Sequence, residues 1–187
     1  MKQYKGLVIG GSAGRFQGIV QILSALSSKL SFPVFLSLHR LKHVRAGFDE
    51  ALAIKSSLPI TEPFDKENIR SGKIYLAPAN YHMYVELGNT IALSTEEAVN
   101  HSRPSIDLTL QSAAYVYKDK LLAVLLSGAN RDGAYGMKEV NAFGGTTIVQ
   151  SPQDCQVKTM TEAAIKTSRM KHIYNLTEII NFLKYLR

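Results

Sequence analysis

The chain has 187 residues, of which 45% are hydrophobic and 20% charged, and its formal net charge at pH 7 is +7. A chain of this length can bury roughly 70% of its unfolded surface in one domain, so it needs no stabilising disulfide or metal. No membrane-spanning helix is expected, because no apolar run approaches the ~20 residues of a span. The single Cys155 cannot form an internal disulfide, which is typical of the cytoplasm.

The positive charge favours an acidic partner. Lysines and arginines are scattered, however, and no aromatic residues alternate with them as in proteins that bind single-stranded nucleic acid. We therefore expect a general basic surface, with neither a nucleic-acid site nor insertion into a membrane.

The first predicted unit is a strand, a helix and a second strand. Residues 4–9 form an apolar run that ends in a glycine-rich turn around Ser12, and residues 34–38 form another that ends on His39. Between them, apolar residues recur at three- and four-residue steps, which indicates a helix from about Phe16 to Leu30. Because such βαβ units are nearly always parallel, Ser12 and His39 are expected at the same edge of one sheet.

The remaining pattern predicts an α/β fold with a mostly parallel sheet. A helix around Phe48 and Leu52 and a short strand from Ile60 are followed by a strand at 73–76. Residues 81–87 and 90–93 are predicted to form an antiparallel hairpin at the sheet edge, joined by the two-residue turn Gly88-Asn89.

The C-terminal half begins with a helix that Ser105 caps and that continues to about Tyr117. Residues 120–126 are the clearest central strand, and the loop SGANRDG follows at 127–133. A helix, a strand at 146–149 and two terminal helices at 160–167 and 177–186 complete the chain, the last one with Thr177 as its predicted cap.

The turn after the first strand carries the pattern GxSxG at Gly10, Ser12 and Gly14. Glycines fit a sharp turn that exposes a serine at a helix start, where backbone N–H groups can stabilise an oxyanion. The alternative is a serine that only caps the helix. A dinucleotide-binding loop would require glycine at Ser12 and Arg15, and a phosphate-binding loop would require GK[ST], so both are excluded.

A serine needs a base to act as a nucleophile, and His39 is placed to serve as one. Asp132, in the loop after the central strand, is the predicted third member, with Asp107 as the alternative acid. The order Ser12, His39, Asp132 differs from that of an α/β-hydrolase. No HExxH motif is present, and no metal site is expected.

Six segments taken together resemble the catalytic domain of chemotaxis protein-glutamate methylesterases, the CheB-type family, over about residues 6–168. They are IGGSAG at 9–14, the strand ending in His39, GKIYLAPANYHMYVE at 72–86, HSRPSIDLTLQSAA at 101–114, LLSGANRDGAYGM at 125–137 and FGGTTIVQSPQDCQV at 143–157. The resemblance implies a three-layer α/β/α sandwich with a mostly parallel, doubly wound sheet. It also implies a catalytic triad of Ser12, His39 and Asp132, with the Ala13 N–H helping to bind the oxyanion.

The family hydrolyses γ-methyl esters on glutamates of helical chemoreceptor domains and deamidates certain glutamines, without a cofactor. The resemblance thus implies a cytoplasmic protein-glutamate methylesterase whose partners are the cytoplasmic domains of methyl-accepting receptors. A separate response regulator or methyltransferase is the further partner expected. Residues 1–187 are predicted to be a single catalytic domain without a receiver domain.

The chain departs from the family pattern at several positions. Arg15 replaces a glycine, Gly128-Ala129-Asn130 replaces GMG, Ser102 is inserted, and residues 158–161 replace a glycine-methionine-proline segment. We predict that Ala129 and Asn130 line the site and that Arg15 and Arg103 lie on the substrate side. Two alternatives stay open: a weakened homologue that acts as a binding or regulatory module in signalling, and an esterase or amidase for small molecules.

Overall fold

The computed structural model describes residues 3–12, 16–39 and 47–187. Nine strands lie in this part of the chain: β1 Gly6–Ser12, β2 Val34–His39, β3 Ile60–Thr61, β4 Ile74–Leu76, β5 His82–Val85, β6 Ile91–Ser94, β7 Leu121–Leu125, β8 Thr146–Gln150 and β9 His172–Tyr174. The six α-helices described are α1 Phe16–Ala25, α2 Phe48–Lys55, α3 Ile106–Tyr117, α4 Ala134–Ala142, α5 Thr159–Thr167 and α6 Leu176–Lys184.

Seven of these strands form one sheet in the order β3-β4-β2-β1-β7-β8-β9, and every neighbouring pair is parallel. Its central strands are buried on both faces, as the continuous apolar sequence of β7 requires. Leu7 and Ile9 of β1 pack into a core with α1, α2 and α6, whereas Val8 packs into a second core with α3, α4 and α5. The predicted three-layer α/β/α sandwich is thereby confirmed.

The chain order places a crevice at the carboxyl end of β1. From β1 the sheet grows in one direction through β2, β4 and β3, and in the other through β7, β8 and β9. The strand order changes direction at β1, so the loops after the neighbouring strands run to opposite sides and leave a gap between them. Open α/β sheets bind ligands in this gap. Ser12 is the last residue of β1, so the sheet topology places it at this crevice.

The predicted hairpin forms, but it does not join the edge of the large sheet. Strands β5 and β6 make a separate antiparallel sheet, because β4 already pairs with β2 and β3 on its two sides. The hairpin packs instead on α3, where Thr109 Oγ1 donates to Met83 O at 2.9 Å. Its turn has three residues rather than two: the Glu86 N–H donates to Thr90 O, and Asn89 takes a left-handed φ of 59°.

Two details near the C-terminus differ from the predictions. The cap of α6 is Asn175 rather than Thr177, because the Asn175 side chain accepts the Glu178 N–H while the Glu178 side chain accepts the Asn175 N–H. The short edge strand β9 was not predicted, since three residues are too few to show a period of two. Of the helices described, none is long and apolar enough to cross a bilayer.

Candidate active site

The parallel register of β1 and β2 brings Ser12 and His39 side by side. Ser12 pairs with His39 across the two strands, just as Gly10 pairs with Ser37. Residues paired in this way point to the same face, which is the face that α3 and α4 cover. The prediction that the serine and the histidine lie at one edge of the sheet is therefore confirmed by the strand pairing.

His39 is also bonded to Asp132, the residue that the loop after β7 supplies. Its Nε2 atom lies 2.6 Å from Asp132 Oδ2, and the side chain of His39 is 15% exposed whereas that of Asp132 is fully buried. An ionised carboxylate can only accept hydrogen bonds, so Nε2 carries the proton of this bond. In the neutral form of the ring, Nδ1 is the nitrogen that can accept a proton.

Asp132 is anchored at the N-terminus of α3. Its Oδ2 accepts the Ile106 N–H at 2.7 Å, and its Oδ1 accepts the Asp107 N–H at 3.0 Å and the Ser105 hydroxyl at 2.9 Å. Burial raises the pKa of this carboxyl, but the hydrogen bonds from His39, Ile106 and Asp107 outweigh burial and hold the pKa below its usual range. The carboxylate therefore stays ionised, and the positive end of the helix dipole adds to this effect.

The close approach of α3 to β1 explains one glycine of the GxSxG pattern. A Cβ atom on Gly10 would overlap Cγ2 of Ile106, the first residue of α3. Gly10 thus allows the helix end that holds Asp132 to lie directly against the strand that carries Ser12. In the loop after β7, Gly133 has a φ of 93°, a conformation that favours glycine.

A second, fully buried layer supports Ser105. His82 Nδ1 accepts the Ser105 N–H at 3.1 Å, and its Nε2 donates to the Glu97 carbonyl at 3.0 Å. These two bonds fix the tautomer of His82 and hold the residue whose hydroxyl reaches Asp132. Sequence reasoning gave His82 no role because this contact joins the hairpin to α3 and has no local pattern.

Asp107, the alternative acid, does not contact His39 through its side chain. Its carboxylate accepts the Gly136 N–H at 2.7 Å and the Asn100 Nδ2–H at 3.1 Å. Burial, together with the charge of Asp132, raises the pKa of this carboxyl to about 6. Asp132 is therefore the acid that the structure joins to the histidine.

Asn130 lies in the loop that precedes Asp132 and holds this loop in place. Its Nδ2 donates to the Asn100 carbonyl and to Ser102 Oγ, both at 3.0 Å, and its Oδ1 accepts the Asp132 N–H at 3.1 Å. The neighbouring Ala129 is exposed. That these two residues line a substrate site stays a prediction.

Arg103 binds the loops that enclose the hairpin. Its guanidinium donates to Asn80 Oδ1 and to the carbonyls of Thr95 and Glu96, at 2.6 to 3.2 Å. A substrate contact for Arg103 stays a prediction. Ala13 and Arg15, the predicted oxyanion donor and substrate-side cation, lie outside the described residues.

The same parts of the chain hold no group of three or more His, Cys, Asp or Glu residues that could bind a metal ion. A serine paired in register with a histidine that is bonded to a buried carboxylate has the parts needed for nucleophilic catalysis.

Comparison with known proteins agrees with this arrangement. The family model for CheB methylesterase matches residues 7–183. A protein of Leptospira interrogans with the provisional name protein-glutamate methylesterase/protein-glutamine glutaminase is 37% identical over 94% of this chain and 91% of its own length. The protein-glutamate methylesterase/protein-glutamine glutaminase of Archaeoglobus fulgidus is 32% identical over 95% of this chain, which spans about half (53%) of that protein. The crystal structure of the Thermotoga maritima CheB methylesterase catalytic domain superposes with a TM-score of 0.89 at 28% identity, covering 97% of this chain and 98% of that one.

Proposed function

Because the chain belongs to the CheB methylesterase family, we propose that it is a serine hydrolase that removes methyl groups from glutamate γ-methyl esters of chemoreceptor helices. The observation that carries this proposal is the position of His39, which pairs with Ser12 across β1 and β2 and bonds to the buried Asp132. The names of the relatives from Leptospira interrogans and Archaeoglobus fulgidus support the same reaction, and they add the deamidation of glutamine.

The reaction follows from the protonation states of the three side chains. His39 Nδ1 takes the proton of the Ser12 hydroxyl as the oxygen attacks the ester carbonyl, and the imidazolium then protonates the departing methanol. Water next attacks the acyl-serine with His39 again as base, which releases the glutamate carboxylate and restores Ser12. With a glutamine substrate the same steps release ammonia instead of methanol.

Asp132 stabilises the imidazolium that forms in both steps. Its carboxylate is fully buried and holds the proton-bearing Nε2 at 2.6 Å, so the ring keeps one orientation and one tautomer. Five donors from the protein, including Gly133 N–H at 3.1 Å, compensate the buried charge. The low pKa of Asp132 means that it does not take the proton itself.

The substrates we propose are the cytoplasmic domains of methyl-accepting receptors, and the domain is proposed to act as a single unit over residues 1–187. The net charge of +7 suits an acidic receptor surface. A weakened homologue would not require His39 and Asp132 to be joined, so the bond between them supports the enzyme over the binding module.

The test is the release of methanol from a methylated receptor domain by the wild-type protein and by Ser12→Ala. We expect the variant to lose about a million-fold in kcat while it keeps the wild-type Tm. Ser151→Ala is the matched control, because Ser151 also follows a strand of the same sheet, and its activity should be unchanged. Methanol release by Ser12→Ala at the wild-type rate would disprove the mechanism.

A further inference from the structure

Four residues around the proposed acid form a closed ring of hydrogen bonds. Asn100 Nδ2 donates to Asp107 Oδ2 at 3.1 Å, and Asn130 Nδ2 donates to the Asn100 carbonyl at 3.0 Å. The Asp132 N–H donates to Asn130 Oδ1 at 3.1 Å, and the Asp107 N–H donates to Asp132 Oδ1 at 3.0 Å. The ring joins the loop before α3, the first turn of α3 and the loop after β7.

The side chain of Asp107 is the charged member of this ring that His39 does not contact. Only 4% of Asp107 is exposed, and its Oδ1 accepts the Gly136 N–H of α4 at 2.7 Å. Among the described residues no Lys, Arg or His forms an ion pair with it. A buried carboxylate next to a second one, without a cation, has a cost in folding free energy and therefore requires an explanation.

We propose that Asp107 is a positioning residue for the esterase reaction: its ionised carboxylate closes the ring that holds Asp132 against His39, and its protonation opens the ring. This inference rests on the proposed function, since it concerns the acid of that site. An ionised Oδ2 accepts the Asn100 amide, whereas a protonated Asp107 carboxyl donates to Asp132 and has less acceptor capacity left for the Asn100 amide. The Gly136 N–H continues to bind Oδ1 in either state.

The groups around Asp107 determine the pH at which the ring opens. Burial and the charge of Asp132 disfavour the ionised form and raise the pKa of Asp107 to about 6. Arg131 and Lys166 line the same cleft of about 540 Å³, together with Asn100 and the Tyr135 ring. The ring is thus closed at pH 7 to 8 and open below about pH 5.

The test compares wild type, Asp107→Asn and Asn100→Gly by the rate at which a fluorophosphonate labels Ser12 between pH 4.5 and 8.5. Glycine suits position 100 because Asn100 has a φ of 49°. Each variant should be labelled about tenfold more slowly than wild type at pH 8, a typical loss within one hydrogen-bond network. The ratio of the wild-type labelling rate to the variant labelling rate should fall towards one below pH 5, because the wild-type ring is then also open. The midpoint of this change should lie near pH 6.

Asp119→Asn is the control, since it removes an exposed carboxylate just beyond α3, and its labelling rate should equal that of wild type at every pH. A merely structural role for Asp107 predicts a ratio that does not change with pH. That result, with Ser12 still labelled in wild type, would overturn the positioning role and leave the proposed function intact.

A second measurement does not depend on reactivity. Hydrogen exchange at the Asp132 amide reports one bond of the ring directly, so its protection factor should rise about tenfold between pH 5 and 8 in wild type and stay constant in Asp107→Asn. If Ser12 is never labelled but this protection changes as expected, the proposed function fails and the ring remains. Equal protection in both proteins at every pH would overturn the ring as well.

Discussion

His39 at the end of β2 bonds through Nε2 to Oδ2 of Asp132 in the loop after β7, a contact of 2.6 Å that spans the end of β1. Since β1 lies between β2 and β7 and Ser12 pairs with His39, the strand register brings Ser12 beside His39 at the same end of the sheet. In the proposed mechanism the central strand supplies the nucleophile, β2 supplies the base, and the loop after β7 supplies the acid. Loss of the Ser12 hydroxyl in Ser12→Ala should therefore abolish methanol release.

Asp132→Asn is expected to lower both activity and stability. The amide cannot accept at all the positions where Asp132 now meets donors from His39, Ile106, Asp107 and Ser105. We expect kcat to fall about ten-thousand-fold, because the imidazole loses its orienting partner. The free energy of unfolding should fall by about 2 kcal/mol, measured by urea denaturation at pH 7. Full activity in a folded Asp132→Asn protein would contradict its assignment as the acid.

Ser105→Ala should lower activity and stability less than Asp132→Asn does. The hydroxyl donates to Asp132 Oδ1 at 2.9 Å and accepts the Leu108 N–H at 3.4 Å, so it acts both as a partner of the acid and as the cap of α3. Loss of the cap should cost about 1 kcal/mol of stability. Loss of the donor should reduce kcat/KM about tenfold. Asn175→Ala, which removes the cap of α6, is the control that should lower Tm without changing kcat/KM.

Gly10→Ala tests the close approach of α3 to β1. The added methyl group would overlap Cγ2 of Ile106, so Ile106 must shift at the N-terminus of α3, where the backbone N–H groups that bind Asp132 lie. We expect a loss of about 1 to 3 kcal/mol in the free energy of unfolding, as for other overpacked cores, together with a fall in kcat. Gly18→Ala is the comparison, since its methyl group would come no closer than 3.4 Å to Leu176, and activity should persist.

The pH dependence of stability should distinguish the two buried carboxylates. The pKa of Asp107 rises from 3.8 to about 6 on folding, so the folded state holds this proton more tightly than the unfolded state. The stability that Asp107 contributes is therefore fully present below pH 3.8 and is lost as the pH rises through 6. Asp107→Asn should gain up to about 3 kcal/mol relative to wild type between pH 4 and 7.5.

The contribution of Asp132 to the free energy of unfolding changes with pH in the opposite direction, since its pKa is lowered on folding. Its contribution is present above the pKa of the unfolded carboxyl and is lost as the pH falls through the lower folded pKa. Denaturation with urea at pH 4.5, 6 and 7.5 measures the difference between wild type and Asp107→Asn. A difference that is the same at all three values would contradict the raised pKa of Asp107.

The sequence by itself determined the order of the elements and two of the three side chains at the crevice. Two continuous apolar runs, one followed by the glycine-rich turn with Ser12 and the other by His39, with one helix between them, leave little alternative to two parallel strands with a common edge. The cap of α3 at Ser105 was also predicted, because a hydroxyl that accepts an N–H three residues later is a local interaction. Local sequence patterns contain these relationships because the residues concerned are close along the chain or belong to one βαβ unit.

The sequence favoured Asp132 over Asp107, but only the tertiary structure shows which of the two carboxylates bonds to His39. Both lie near the N-terminus of α3, and the choice depends on a bond from His39 that joins residues 93 positions apart. The contact of His82 with Ser105 and the ring through Asn100 and Asn130 likewise link segments far apart in the chain. The separate hairpin sheet has the same origin, because it depends on β3 and β2 occupying both sides of β4. Such contacts form only when the whole core is packed, so no local period or spacing encodes them.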